Sequence, residues 1–331
     1  MNEFDKERLD ERGSSSSENL MRSDMETEYI ILPSQGFFFT GKYKNIKKIK
    51  IRKLDWTDED ILTTKSYYDN DNIIEELLEQ TIIDKNFPID ELIQVDIDTI
   101  ITWLRIGAFG TLYEVPIKCN CNEAKEKKNH PKFIWNLGDF DMPDYPEIYI
   151  KELKKNGYIK FHLNNIEFHL TSPTLEKTRK VKEFLNERKK GDSGSKSTSK
   201  LLTVIKEIKE GGETIKNIEE IYSWLLKSKY SIKDSRAIQK KAEEINLKIQ
   251  AKQEYICEYC QRKYIFSLFP VTKYFFGLNL TSYREYMMRS LNFLVFWGRI
   301  DYQSVLHMPI SKRRYQIDLT HENLKTLYPK S

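Results

Sequence analysis

The chain has 331 residues, 39% of them hydrophobic and 31% charged, which is enough for one large or two ordinary domains. Its 54 basic and 50 acidic residues leave a net charge of +4, a mixed surface without the strong positive charge typical of polyanion-binding proteins. No run approaches 18 apolar residues, so we expect no transmembrane helix, and the first residues lack the apolar core of a secretory signal.

Residues 1–28 are predicted to form a disordered tail, because the stretch is mostly polar, charged and rich in serine. Order is expected to begin at "YIILPSQGFFF", where an apolar run meets a turn and three phenylalanines. In "NIKKIKIRKL", Ile49 and Ile51 fall on one face at a period of two, which predicts a half-buried strand. The lysines on its other face favour protection of a sheet edge over contact with nucleic acid.

Short helices and strands are predicted to alternate through residues 29–175, a β-rich domain. "DWTDEDILTT" begins a helix with Thr57 or Asp58 as the cap, and acidic residues fill its first turn. Segments 72–84 and 96–110 are amphipathic helices, and 111–123 is a strand that leads into two cysteines. Residues 133–150 are predicted to be short extended pieces, and 157–173 a hairpin that turns at Asn164-Asn165.

The pattern changes after this domain. Residues 176–252 are predicted to be a helical region, with a flexible Gly/Ser loop at 191–199. Its basic first helix, 176–190, is read as a solvated face, with nucleic-acid contact as the second interpretation. Residues 253–331 contain a cysteine strand and an aromatic helical C-terminal part. The predicted fold class is therefore α+β: a β-rich N-terminal half with short helices, a helical middle and a helical end.

The four cysteines form two close pairs, Cys119 with Cys121 and Cys257 with Cys260. Paired cysteines in a chain with no visible export signal favour a metal over a disulfide. Structural zinc takes four tetrahedral ligands, and residues i and i+2 of a strand point to the same face. The sequence therefore predicts one structural zinc shared by all four thiols. Two alternatives stay open: His130 as a substitute ligand, and unmetallated thiols that act as small buried hydrophobes.

No catalytic motif supports an enzyme. The chain contains no HExxH, no deaminase pattern, no GxSxG, no GxGxxG and no Walker sequence. His162 and His169 flank the predicted hairpin turn, but surface or cross-strand histidines explain them more simply than a metal site. The acids at 55–60 are explained by helix N-terminal charge.

The order of these parts resembles the baseplate hub subunits and hub assembly proteins of T-even-type contractile-tailed bacteriophages. "LPSQGFFF", the Lys/Ile strand, "LDWTDEDILTT" and "DIDTIITWLRIGAFGTLYEVPIKCNC" carry most of the likeness. "YICEYCQRKYIFSLFPVTKYFF" and "FLVFWGRIDYQSVLHMPISKRR" extend it, so it covers roughly residues 29–320. The Cys-x-Cys spacing departs from the commoner Cys-x-x-Cys, and this puts the metal site in doubt.

The resemblance implies a non-enzymatic component or assembly factor of a phage tail baseplate hub. It implies oligomeric contacts with other hub and tail proteins and a location in the virion tail baseplate, with assembly in the host cytoplasm. The alternative is a zinc-ribbon protein that binds nucleic acid through the Lys-rich strand and the 176–190 helix. Aromatic residues favour interfaces. The expected core or interface anchors are Phe37, Phe38, Phe39, Tyr274, Phe275, Phe276, Phe293 and Trp297.

Overall fold

The computed structural model describes residues 26–70, 72–116, 119, 121, 123, 132–188, 196–227, 231–273 and 275–328. The strands in this part are β1 Thr27–Ile31, β2 Lys48–Arg52, β3 Leu112–Pro116, β4 Lys132–Asn136, β5 Ile159–Leu163, β6 Ile166–Leu170, β7 Ile205–Glu210, β8 Glu213–Ile215, β9 Lys252–Ile256 and β10 Lys263–Ser267. The predicted tail, apart from residues 26–28, lies outside the described residues.

Helices separate these strands. They are α1 Trp56–Thr63, α2 Lys65–Asn70, α3 Ile73–Thr81, α4 Gln94–Phe109, α5 Glu147–Asn156, α6 Leu175–Arg188, α7 Lys196–Val204, α8 Ile218–Lys227, α9 Ile232–Glu243, α10 Leu280–Phe296, α11 Tyr302–Leu306 and α12 Ile310–Leu327. The mixture confirms the predicted α+β class. No helix in the described part of the chain has the length and apolar character needed to cross a membrane.

All named strands pair in antiparallel fashion. Three two-stranded sheets, β1–β2, β3–β4 and β9–β10, accompany one four-stranded sheet in the order β5-β6-β7-β8. The β5–β6 hairpin turns at Asn164 and Asn165, both with positive φ, as predicted. Ile49 and Ile51 of β2 are buried, which confirms the predicted inner face of that strand.

The turn after β1 depends on a glycine. Gly36 has a φ of +69°, and a Cβ built on it would lie 2.4 Å from the carbonyl oxygen of Ile46. Only glycine combines this left-handed backbone with so close an approach of another chain segment. The turn directs Phe37 and Phe39 into the main hydrophobic core, where both are buried.

Helix α1 begins at a different cap from the one predicted. Asp55 is the N-cap, and its side chain accepts a hydrogen bond from the backbone N–H of Thr57 at 2.8 Å. Asp58 completes a capping box by accepting from the backbone N–H of Asp55 at 2.9 Å. The predicted caps, Thr57 and Asp58, are thus the first-turn partners of the true cap. The offset of two or three residues is of the size expected for helix boundaries read from sequence.

The middle of the chain is less helical than predicted, because residues 205–215 form β7 and β8. Ile205 and Ile208 are both fully buried although they are three residues apart, a helical spacing. A register irregularity opposite β7, between His169 and Leu170, accompanies this spacing. Gly211 and Gly212 follow with positive φ and allow the tight turn into β8. The predicted loop at 191–199 lies partly outside the described residues, and its end belongs to α7.

Residues 147–150, predicted to be extended with the rest of 133–150, form the first turn of α5 instead. The prolines in this region precede the helix and do not interrupt it, since Pro146 is its N-cap. Proline lacks an N–H that the first turn would leave unpaired, so it is tolerated at this position. The helix ends at Gly157, whose φ of +71° provides a left-handed C-cap.

Helix α4 is largely buried and holds two neighbouring segments through carboxylates. Asp96 accepts from the backbone N–H of Ser34 at 2.9 Å, and Asp98 accepts from the backbone N–H of Val271 at 2.8 Å. Burial raises the pKa of Asp96 to about 7 and that of Asp98 to about 6, although these hydrogen bonds oppose the shift. The helix therefore fixes both the LPSQG turn and the segment after the second cysteine pair.

The C-terminal helices are joined to α1 by a buried ion pair. Arg313 of α12 donates to the Glu59 carboxylate, and both side chains are almost fully buried. The Tyr283 hydroxyl of α10 donates to the same carboxylate at 2.5 Å. Beside them, the backbone N–H of Ile310 donates to the Leu54 carbonyl at 3.0 Å. The end of the chain thus packs against the domain formed by its beginning.

Candidate metal centre

Two hairpins bring the four cysteines together. Cys119 and Cys121 follow β3, beyond the end of the β3–β4 ladder, and the second pair lies in the turn between β9 and β10. In that turn the backbone N–H of Cys257 donates to the Arg262 carbonyl at 3.0 Å, and the N–H of Gln261 donates back to the Cys257 carbonyl at 2.9 Å. These bonds fix the loop that carries the second pair.

Aromatic rings on the inner faces of the hairpins pack against each other. The ring centroid of Phe133 lies 5.7 Å from that of Phe266 and 6.4 Å from that of Tyr255. Trp135 lies 5.8 Å from Phe266. The side-chain amide of Gln253 also donates to the Ile134 carbonyl at 3.1 Å. The two hairpins therefore stack with their cysteine-bearing ends side by side.

The four sulfur atoms lie within 4.8 Å of one another. The Sγ atoms of Cys119 and Cys260 are 3.5 Å apart, and those of Cys121 and Cys257 are 3.9 Å apart. Tetrahedral zinc with bonds of about 2.3 Å requires S···S separations of roughly 3.8 Å, whereas a disulfide requires about 2.05 Å. The observed distances match ligation of a common ion, and all four cysteines are free.

Burial and hydrogen bonding also suit a metal. Cys257 is fully buried and Cys119 nearly so, while Cys260 is exposed, so the site lies at the edge of the protein. The Tyr264 hydroxyl donates to Cys119 Sγ at 3.0 Å. This bond, aided by backbone and cysteine contacts, lowers the pKa of the Cys119 thiol to about 6.

The chemistry of the donor set favours a soft divalent cation. Four thiolates at these distances would repel one another strongly without a positive charge between them. An all-sulfur tetrahedron suits zinc or an iron–sulfur centre, and it provides no open position for substrate. A metal held by all four thiols would therefore serve a structural role. Among the described residues no other group of three or more Cys, His, Asp or Glu side chains has metal-binding geometry, and the alternative ligand His130 lies outside them.

The predicted aromatic anchors are found in three environments. Phe37, Phe39, Phe275 and Phe276 are buried in the main core. Phe38 and Phe293 are half-buried, and Trp297 is half exposed. Tyr274 lies outside the described residues. The four core residues stabilise the fold, so among the described anchors Phe38, Phe293 and Trp297 are the candidates for contact with a partner.

The two hairpin histidines do not form a metal site. His162 is exposed and His169 is buried, and both lie beside Glu167, with Nε2 to carboxylate distances of 3.0 and 2.6 Å. His169 also stacks on the Tyr158 ring at 4.2 Å. Their hydrogen bonds and packing explain them, in agreement with the cross-strand interpretation.

Sequence reasoning missed one contact of the cysteine site and two buried ion pairs elsewhere in the fold. The Tyr264 hydroxyl on Cys119 could have been suspected only from its place four residues after Cys260. The buried pairs Asp58–Arg52 and Glu59–Arg313 gave no signal, because acids in a first turn already satisfy the helix dipole. In the fold, Asp58 accepts from Arg52 at 2.5 and 2.8 Å, so it serves as both cap and ion-pair partner.

The fold and the closed cysteine site define a structural protein of mixed α+β architecture whose sequence order resembles phage baseplate components. Comparison with family models confirms this class. The model described as "T4 bacteriophage base plate protein" matches residues 32–276, and the chain belongs to that family. No curated protein and no solved structure matches the chain. The family match includes all four cysteines and ends before α10. Membership associates the protein with the tail baseplate of a bacteriophage.

Proposed function

We propose that the protein is a subunit or an assembly factor of the baseplate hub, and that it acts through protein–protein interfaces without catalysis. The observation that carries this proposal is the family match over residues 32–276, in the order of parts described above. Partners are other hub and tail proteins, and assembly takes place in the host cytoplasm.

The C-terminal helices carry exposed aromatic side chains that could make such contacts. The side chains of Phe296 and Trp297 are 72% and 50% exposed, and their rings pack edge to face at 5.0 Å. Tyr302 and Tyr315 are also exposed. Aromatic side chains are enriched at protein interfaces and are costly to leave in water.

Virion composition tests this proposal. Mass spectrometry of purified phage distinguishes a hub subunit, which is present, from an assembly factor, which is absent from the particle but needed for plaques. Co-purification of the full chain with co-expressed tail proteins should fall when Phe296 and Trp297 are changed to alanine. Ile148→Ala, an exposed apolar residue on α5, serves as the matched control. Normal baseplates from phage that lack the gene would refute the proposal.

We also propose that the four-cysteine site binds zinc as a structural ion. Cys119, Cys121, Cys257 and Cys260 would supply all four ligands, and the ion would fix the β3–β4 hairpin to the β9–β10 hairpin. Metal analysis of purified protein tests this directly. The expected result is about one zinc per chain. Iron in place of zinc, or no metal in protein purified without chelator, would contradict it.

The nucleic-acid alternative receives no support from the described residues. Both arginines of α6 pair with acids: Arg179 binds Glu75 and Asp90 at 3.1 and 3.0 Å, and Arg188 binds Glu219 at 2.7 Å. Charges that are already paired release few counterions on binding a polyanion. Steep salt-dependent retention on DNA or RNA would reverse this conclusion.

A further inference from the structure

Two arginines from different parts of the chain meet at one aromatic ring. Arg105 lies in the last turns of α4, and Arg314 lies near the start of α12. Their guanidinium carbons are 5.3 and 5.0 Å from the centroid of the Phe109 ring. Arg105 also lies 5.0 Å from the centroid of Tyr113. Stacking on rings orients the two guanidinium groups, but it does not neutralise them.

Neither arginine has a carboxylate partner among the described residues. The hydrogen bond of Arg105 is a long one, 3.4 Å to the Gly110 carbonyl. Only 8% of Arg105 is exposed. Its buried Nε atom has no hydrogen-bond partner in the described part of the protein. The other two buried arginines differ, since Arg52 binds Asp58 and Arg313 binds Glu59.

An unpaired buried cation is unfavourable, so this exception requires a reason. Burial lowers the pKa of Arg105, and the nearby charge of Arg314 lowers it further, although Tyr113 opposes the shift. A guanidinium nevertheless keeps its proton at neutral pH. Two like charges therefore lie near each other, and no described carboxylate comes within ion-pair distance of either one.

Two glycines close to Arg105 in the chain have open space beside them in the described part of the structure. A Cβ built on Gly107 or on Gly110 would meet no atom within 4 Å. Leu112, just after α4, is exposed and offers an apolar neighbour. A group that approaches this surface could reach Arg314, which is half-buried, and the edge of Arg105.

We propose that Arg105 and Arg314 form an oxyanion-binding site that receives a carboxylate of an acidic side chain on a partner protein. Guanidinium groups bind carboxylates through paired, charge-assisted hydrogen bonds, and arginine is enriched at the centres of interfaces. The binding of an oxyanion follows from the two arginines alone. Its assignment to a protein carboxylate rests on the proposed assembly function.

Thermal unfolding of the purified full chain tests the site. Citrate, a tricarboxylate, should raise the melting temperature by at least ~2 °C over chloride at equal ionic strength. Arg314→Gln should abolish this difference. Arg289→Gln is the matched control, because Arg289 is exposed on α10 and pairs with Glu285 at 2.5 Å. Arg105→Lys keeps the charge but removes the planar fork, so it should retain only part of the difference.

Binding of a fluorescent glutamate-rich peptide identifies the source of the anion. Arg314→Gln should weaken this binding on the order of 10-fold or more, whereas Arg289→Gln should not. Tighter, Arg314-dependent binding of a single-stranded oligonucleotide of equal charge would overturn the protein-carboxylate assignment. No citrate effect, or the same effect in Arg314→Gln, would overturn the site itself. Normal co-purification with tail proteins in that case would leave the proposed hub function intact.

Discussion

Loss of the metal should uncouple the two hairpins and destabilise the protein. The ion would join positions 136 residues apart, the separation of Cys121 and Cys257. A covalent cross-link that closes a loop of this length stabilises a fold by about 5 kcal/mol through the entropy of the unfolded chain. The aromatic contacts between the hairpins remain without the ion, so this value is an upper bound. It corresponds to a fall in melting temperature on the order of 10 °C.

Differential scanning calorimetry on protein treated with a zinc chelator, and on the double variant Cys257→Ser with Cys260→Ser, checks this value. Both should unfold at lower temperature, and zinc should restore only the chelated wild type. Tyr264→Phe is the control, because it keeps all four thiols and removes the hydroxyl bonded to Cys119. Its zinc affinity should fall on the order of 10-fold, with little change in melting temperature at saturating zinc. An unchanged melting temperature after complete metal removal would refute the reasoning.

Three further predictions concern buried groups. The pKa of Asp96 is raised to about 7 by burial, so the folded state holds its proton more tightly than the unfolded chain. The protonated Asp96 carboxyl therefore contributes to stability below about pH 4, and this contribution is lost as pH rises through 7. Asp96→Asn should raise the free energy of unfolding at pH 8 by at most about 4 kcal/mol. The same substitution should have little effect at pH 4. Arg313→Met should lower the free energy of unfolding by about 3–5 kcal/mol, because it leaves the buried Glu59 carboxylate without its arginine. Gly36→Ala should destabilise the protein more than Gly41→Ala, since both have positive φ but only Gly36 would place its Cβ against backbone.

Urea denaturation measures all three. A wild type and an Asp96→Asn variant that lose stability in parallel between pH 5 and 8 would show that this carboxyl does not titrate as argued. Adding Glu59→Gln to Arg313→Met should recover most of the loss, and a double variant no better than the single one would contradict the ion-pair account. An equal loss in the free energy of unfolding for Gly36→Ala and Gly41→Ala would mean that the backbone near Ile46 can move to make room for a Cβ.

The metal site was the part of the molecule most accessible from sequence. Cys-x-Cys after a strand and Cys-x-x-Cys in a turn each supply two thiols at a spacing suited to one ion, so the two pairs could be recognised from sequence. The meeting of the two pairs depends on tertiary packing. Strands β7 and β8 were not predicted, because Ile205 and Ile208 have helical spacing in the sequence. Both residues can be buried on one strand because the pairing of β7 with β6 is irregular. Pairs such as Glu59 with Arg313 depend on tertiary packing and leave no local pattern.

The two partners of the Glu59–Arg313 ion pair are synthesised at very different times. Glu59 and Arg313 are 254 residues apart, so a ribosome needs on the order of 10 s or more to reach the arginine after it has made the acid. During this interval the Glu59 carboxylate has no arginine with which it could be buried as an ion pair. We therefore expect the side of α1 that carries Glu59 to stay hydrated. The chain can complete its first domain only when nearly all of it has been translated. A prematurely terminated copy would keep the Glu59 carboxylate without its ion-pair partner.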